Sequence, residues 1–153
     1  MKNTIRFIKI TTLYTEVEMD AIVHAMSDAE AEAIVKLYAK FNIVEFVNEL
    51  GYQCMFVAIH ENYITELLET YTKYSVSFTY EDMTKEALYG MFDITKVGIS
   101  DGSVSIHDTI CSLKDLLENF IESNLEPDMV LDKITELGIN SLSEKDKRVL
   151  ESI

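Results

Sequence analysis

Residues 52–59 read YQCMFVAI, a run that is almost wholly apolar and is bounded by Gly51 on one side and by the polar His60, Glu61 and Asn62 on the other. It is too short for a stable helix and therefore reads as a central strand of a sheet. Upstream, TIRFIKITTLY is rich in β-branched and aromatic residues. Ile5 and Phe7 point one way and Ile8 and Ile10 serve the other face, which suits a first strand covered on both sides. Between the two strands, Ser27 and Glu30 form a capping box, and Ala33, Ile34, Leu37, Tyr38 and Phe41 follow at helical spacing. The next stretch, NIVEFVNELG, reads as a second helix: Asn42 and Glu45 at its start, Ile43, Phe46, Val47 and Leu50 on one face, Gly51 at its end. Its β-branched residues keep a strand open as the competing reading.

Downstream of the central strand, Asn62 is placed to cap a helix whose Ile64, Leu67, Leu68 and Tyr71 share a face. SVSFTYED then alternates, with Val76, Phe78 and Tyr80 on one side and Ser77 and Thr79 on the other, as a strand with one wet face does. Asp101 and Gly102 are expected at the centre of a type I′ turn, pairing Ile99 with Val104 and Val97 with Ile106 in a hairpin. A helix is predicted from near Asp108, with Ile110, Leu113, Leu117, Phe120 and Ile121 inward, ending before Pro127. The rest of the chain is helical in character.

The expected architecture is α/β (α+β): a small mixed sheet with helices packed on it, in the order β-α-α-β-α-β and then a β-hairpin, followed by a helical tail. Residues 1–107 are expected to form the α/β domain and 108–153 a helical extension ending in a helical hairpin over 127–153. At 153 residues a chain buries roughly two-thirds of its unfolded surface and folds on its own core. A hydrophobic fraction of 48%, one proline and five glycines argue against disorder. The sequence contains no run long and apolar enough to span a bilayer, and MKNTIRFIKITTLYTEVE reaches acidic residues too soon for a signal peptide. A cytoplasmic protein is expected. Cys54 and Cys111 belong to no metal-ligand spacing and read as buried free thiols.

The formal net charge of −14 opposes direct binding to a phosphate backbone, which needs clustered Lys and Arg. From Ile10 to Val35 stand Glu16, Glu18, Asp20, Asp28, Glu30 and Glu32 with no Lys or Arg, and Phe41 to Thr72 adds Glu45, Glu49, Glu61, Glu66 and Glu69, again with none. His24 near Asp20, His60 beside Glu61 and His107 beside Asp108 lie in no nucleophile-elbow, HExxH or deaminase context. The pairs Glu81/Asp82 and Glu16/Glu18/Asp20 lack the loop spacing of a calcium site, and no glycine-rich phosphate loop occurs. No catalytic residue, metal site or cofactor is therefore assigned.

The tail carries a resemblance. Leu131, Asp132, Lys133, Ile134, Gly138, Ser141, Leu142, Ser143, Lys147 and Leu150 resemble a C-terminal helical hairpin found in Bacteroidetes and phage proteins and in the tails of some rhomboid-family proteases. The resemblance implies a bacterial or phage source and, if the protein is phage-encoded, a place in the host cytoplasm. It carries no protease function, because no protease motif precedes it. The order of elements in the first half resembles the small adaptor domain that delivers substrates to ATP-dependent proteases, and equally a ferredoxin-like fragment. The adaptor's Asn-Asp-Asp-x-Thr-Pro motif is replaced here by TTLYTEVEMD, so its recognition site does not carry over.

Tyrosine occurs eight times, and tyrosines among carboxylates suit contact with a basic protein. The expected function is a non-enzymatic interaction module, an adaptor or inhibitor, binding a basic protein partner through Tyr14, Glu16, Glu18, Asp28, Glu32 and Tyr38. The alternatives are an acidic nucleic-acid mimic that blocks a DNA- or RNA-handling enzyme, a small enzyme or ligand-binding domain around His60 and Tyr52, and a virion structural component.

Overall fold

The computed structural model describes residues 4–100 and 105–152. The run that opened the sequence reading forms β3 (Gln53–His60), flanked by β1 (Ile5–Thr12) and β2 (Asn42–Asn48). β4 (Phe78–Asp82) lies outside β1 and the short β5 (Ile99–Ser100) outside β2, giving the order β4-β1-β3-β2-β5. Every pairing is antiparallel, so the α/β fold rests on an antiparallel sheet rather than a mixed one. The first four strands have the order of a split βαβ, or ferredoxin-like, unit. In that arrangement β1 crosses to β2 through α1 (Glu16–His24) and α2 (Asp28–Tyr38), and β3 crosses to β4 through α3 (Glu61–Lys73).

Alternation along the strands divides the core in two. Phe7, Phe46, Cys54 and Phe56 face one way, against Ala87 and Leu88 of α4 (Thr84–Leu88) and Leu113, Leu116 and Phe120 of α5 (Ile106–Asn124). Ile8, Ile10, Met55, Val57 and Ile59 face the other way, against Leu37 of α2 and Leu67 and Tyr71 of α3. α5, which the sequence reading placed in an extension, thus covers one face of the sheet and shares its central cluster. Thr84 fastens this side. Its hydroxyl accepts from the Phe7 N–H at 2.9 Å and donates to Asp82 Oδ1 at 2.6 Å.

The stretch read as a second helix is β2. Strand pairing places Val44 and Phe46 towards the α5 side and Ile43 towards the α2 side, which satisfies the β-branched residues that a helix would crowd. Gly51 does not end a helix. It takes φ +83° in the β2–β3 turn, where Asn48 Oδ1 accepts from the backbone N–H of Leu50 and Tyr52, each at 3.0 Å. α1 and α4 are helices that the sequence reading missed, although a Thr15–Glu18 capping box marks the start of α1.

The expected 97–106 hairpin is also corrected. Ile99 pairs with Asn48 of β2, Val97 ends a short 3-10 turn, and Ile106 opens α5 behind the N-cap Ser105. Asp101–Val104 lie outside the described residues. In β4 the wet-face reading holds only in part: Val76 is buried ahead of the strand, but Tyr80 is exposed on this edge strand.

The tail runs through α6 (Pro127–Leu137) and α7 (Glu144–Glu151), with Gly138 at φ +87° closing α6 and a Ser143–Asp146 capping box opening α7. Lys133 and Asp146 are joined at 2.7 Å and are nearly inaccessible to solvent.

Candidate functional site

The two faces of the sheet are closed in different ways. On one, α5 buries Thr109, Leu113, Leu116 and Phe120. On the other, α3 buries Leu67 and Tyr71, whereas α1 buries no residue and α2 only Leu37. Met19 and Ile22 of α1 pack on the core cluster only partly buried, and three tyrosine hydroxyls add tethers: Tyr14 donates to the Ser75 carbonyl at 3.2 Å, Tyr38 to the Tyr71 hydroxyl at 3.0 Å, and Tyr74 to Glu30 Oε2 at 2.8 Å. The bond from Tyr74, with those from Ser27, holds the Glu30 carboxyl below the usual carboxylate range.

The outer surface of this layer is acidic and studded with apolar side chains. Glu16, Glu18 and Asp20 on α1 and Asp28, Glu30 and Glu32 on α2 face a single cation of the same two helices, Lys36. Glu18 and Glu30 close capping boxes and Glu32 pairs with Lys36 at 3.2 Å. Among the described residues, no hydrogen bond or ion pair engages the carboxylates of Glu16, Asp20 or Asp28. Val17 is 77% exposed, Val35 67% and Val23 47%.

Of the six residues expected to bind a partner, Glu16, Glu18, Asp28 and Glu32 lie on this surface. The two tyrosines do not serve as its exposed aromatics: Tyr14 is half-buried against the core cluster, and Tyr38 turns inward to Tyr71. The exposed apolar side chains of this surface are Val17, Val23 and Val35 rather than tyrosines.

Beneath the layer, between α1, α2, α3 and the sheet, lies a cavity of about 240 Å³. Met19, Met26, Ile34 and Met55 supply apolar wall, and Tyr38, Tyr71, Gln53, Asp20 and Glu45 supply polar groups. Burial pushes both tyrosine hydroxyls up, so they stay protonated. Glu45 is exposed, yet the protein packed beside it weakens the hydration of its carboxylate and pushes its pKa up. The Gln53 amide at 3.4 Å opposes that shift, and Glu16 adds to it. Glu45 escaped the sequence reading because its segment was read as a helix. The signal was there in strand parity, which places Glu45 on the same side as Ile43 and under the helices.

The proposed grouping of His60 with Tyr52 does not form. They stand at opposite ends of β3, roughly 25 Å apart at the usual rise per residue. His60 instead caps α3, its Nδ1 accepting from the Asn62 N–H at 3.2 Å. His24 Nδ1 lies 2.7 Å from the Asp20 carbonyl oxygen and His107 Nε2 3.7 Å from Cys111 Sγ. Both cysteines are free, and Cys111 is exposed rather than buried. Among the described residues, no group of three or more His, Cys, Asp or Glu is arranged to hold a metal ion, and no helix is long and apolar enough to cross a membrane.

Compared with models of known protein families, with curated proteins and with solved structures, the chain finds no match.

Proposed function

We propose that the chain is a protein-interaction domain, an adaptor or inhibitor, whose α1–α2 layer docks on a basic protein partner. The observation that carries this reading is the combination on one layer of six carboxylates, one lysine and three well-exposed valines. Charge of one sign steers an oppositely charged partner, and exposed apolar side chains supply the buried contact once it arrives. A solvating surface needs the carboxylates but not the valines. The weak anchoring of both helices suits a surface that adjusts to its partner, because elements that rearrange on binding come from the low-stability end of a fold.

The test is kinetic. A partner captured from source cells by the immobilised protein is measured against wild type and against the variant Glu16→Gln, Glu18→Gln, Asp28→Asn, Glu32→Gln at two salt concentrations. The variant is expected to slow association more than it speeds dissociation, and added salt is expected to slow the wild type. Its folding stability is expected to stay within about 1 kcal/mol, since exposed charges contribute little and the Glu18→Gln change keeps a capping oxygen. An association rate indifferent to both charge and salt contradicts the reading.

A further inference from the structure

The cavity beneath the α1–α2 layer has a chemistry of its own. Its volume of about 240 Å³ exceeds several times the space of one water, roughly 30 Å³ in the liquid. It falls below the 300–1,000 Å³ or so of sites for drug-sized ligands. Among the described residues its lining holds two carboxylates, Glu45 and Asp20, and no Lys, Arg or His. Lys73 lies over the ring of Tyr74, 5.3 Å from its centroid, and is not part of the wall.

The hydroxyl protons in the cavity are already committed. Tyr38 donates to Tyr71, and Tyr71 donates to the Met55 sulfur at 3.9 Å. The lone pairs of the Tyr38 oxygen are left free to accept. Glu45 has one amide, that of Gln53, for its two oxygens. The site therefore offers acceptors and negative charge, set in apolar and aromatic walls that favour a cation over an anion.

From this geometry we infer that the cavity binds a small apolar ammonium ion, with the charged nitrogen against Glu45 and the Tyr38 oxygen and the hydrocarbon body among Met19, Met26, Ile34 and Met55. An ammonium placed there has the Glu45 carboxylate as its charged partner and the apolar wall behind it. The methionines adapt to the shape of the apolar body. Asp20 and Val23 belong both to this lining and to the acidic layer, whereas Glu45, Tyr38 and Met55, which carry the inference, are not among the residues of the docking surface.

Three probes of similar size separate charge from shape: 2-phenylethylammonium, 2-phenylethanol and 3-phenylpropionate, each titrated into the full-length protein by calorimetry and by methyl NMR of labelled methionine. The ammonium is expected to bind at least about tenfold more tightly than the alcohol, a difference of about 1.4 kcal/mol, and the carboxylate not to bind. The Met19, Met26 and Met55 methyls are expected to shift while that of the exposed Met91 stays in place. Glu45→Gln is expected to reduce the ammonium to the affinity of the alcohol and to leave the alcohol unchanged, which also shows that the variant's cavity is intact. Equal binding of the three probes, no saturable binding of the ammonium at millimolar concentration, or ammonium binding that Glu45→Gln leaves unchanged overturns the inference.

Discussion

Phe56→Ala is expected to lower the unfolding free energy by about 3–5 kcal/mol. Phe56 is wholly inaccessible to solvent and sits at the centre of a chain of rings: Phe7 stacks on it at 5.5 Å, Phe46 at 5.6 Å, and Phe92 meets it edge-on at 5.4 Å. Phe7 in turn touches Phe120 of α5 at 5.4 Å. Removing the central ring deprives three strands and α5 of a shared contact at once. The backbone around it is fixed on both sides by the β1 and β2 ladders, so the void cannot close by collapse. Denaturant unfolding is the measurement, with the midpoint expected to fall at unchanged slope. A loss below about 1 kcal/mol, the range of a lightly packed site, would mean that α5 and the sheet do not share one core.

Lys133→Met is expected to cost a similar amount, about 3–5 kcal/mol, by a different route. Lys133 is 4% exposed and Asp146 1%. Their contact at 2.7 Å is the buried link between α6 and α7, and Asp146 Oδ2 also accepts from the Ser143 N–H at 2.8 Å. Without the ammonium, a carboxylate is stranded in a place with little water. The double variant Lys133→Met, Asp146→Asn removes both charges and keeps a capping oxygen, so it is expected to recover most of the loss. If the double variant is no more stable than Lys133→Met, the cost does not come from an unpaired charge.

The same pair gives the protein an acid response. Burial by itself raises the Asp146 pKa, but the hydrogen bond from Lys133, those from Ser143 and the charge of Lys133 outweigh it, leaving the carboxyl below its ordinary value. A group depressed in the folded state contributes stability above its unfolded pKa, about 3.9, and that contribution disappears as pH falls through the folded value. Wild type is thus expected to lose stability below about pH 4 more steeply than the double variant.

These features differ in how far they could be read from residues alone. β1, β3, the capped α2 and the punctuation of the tail were legible because each combines a clear period with a capping or turn residue: Ser27 with Glu30, Gly138, Ser143 with Asp146. β2 was misread because the cues of Asn42, Glu45 and Gly51 fit a helix, and only pairing with β3 shows that Gly51 serves a hairpin turn. α5 read correctly as a helix, but its place over the Phe7–Phe56 face depends on contacts distant in sequence. The acidic surface was visible as a run without Lys or Arg. The cavity was not, since Asp20, Tyr38, Glu45 and Tyr71 come from four elements and meet only through the β2–β3 register. The resemblance of the tail to a hairpin of bacterial and phage proteins remains a proposal about source, and its physical content is the Lys133–Asp146 link.

One face of the sheet is closed by the firmly buried α5, and the other by α3 together with a loosely anchored acidic α1–α2 layer; amide hydrogen exchange tests this asymmetry most directly. α1 buries no residue and α2 buries one, whereas β1, β3, α3 and α5 supply most of the two core clusters. Backbone amides in α1 and the first half of α2 are expected to exchange through local opening, with protection far below that of β1, β3 and α5, whose slowest amides should report global unfolding. Protection in α1 equal to that of β3 would contradict the account, because it would make the acidic layer as much a part of the rigid core as the strands beneath it.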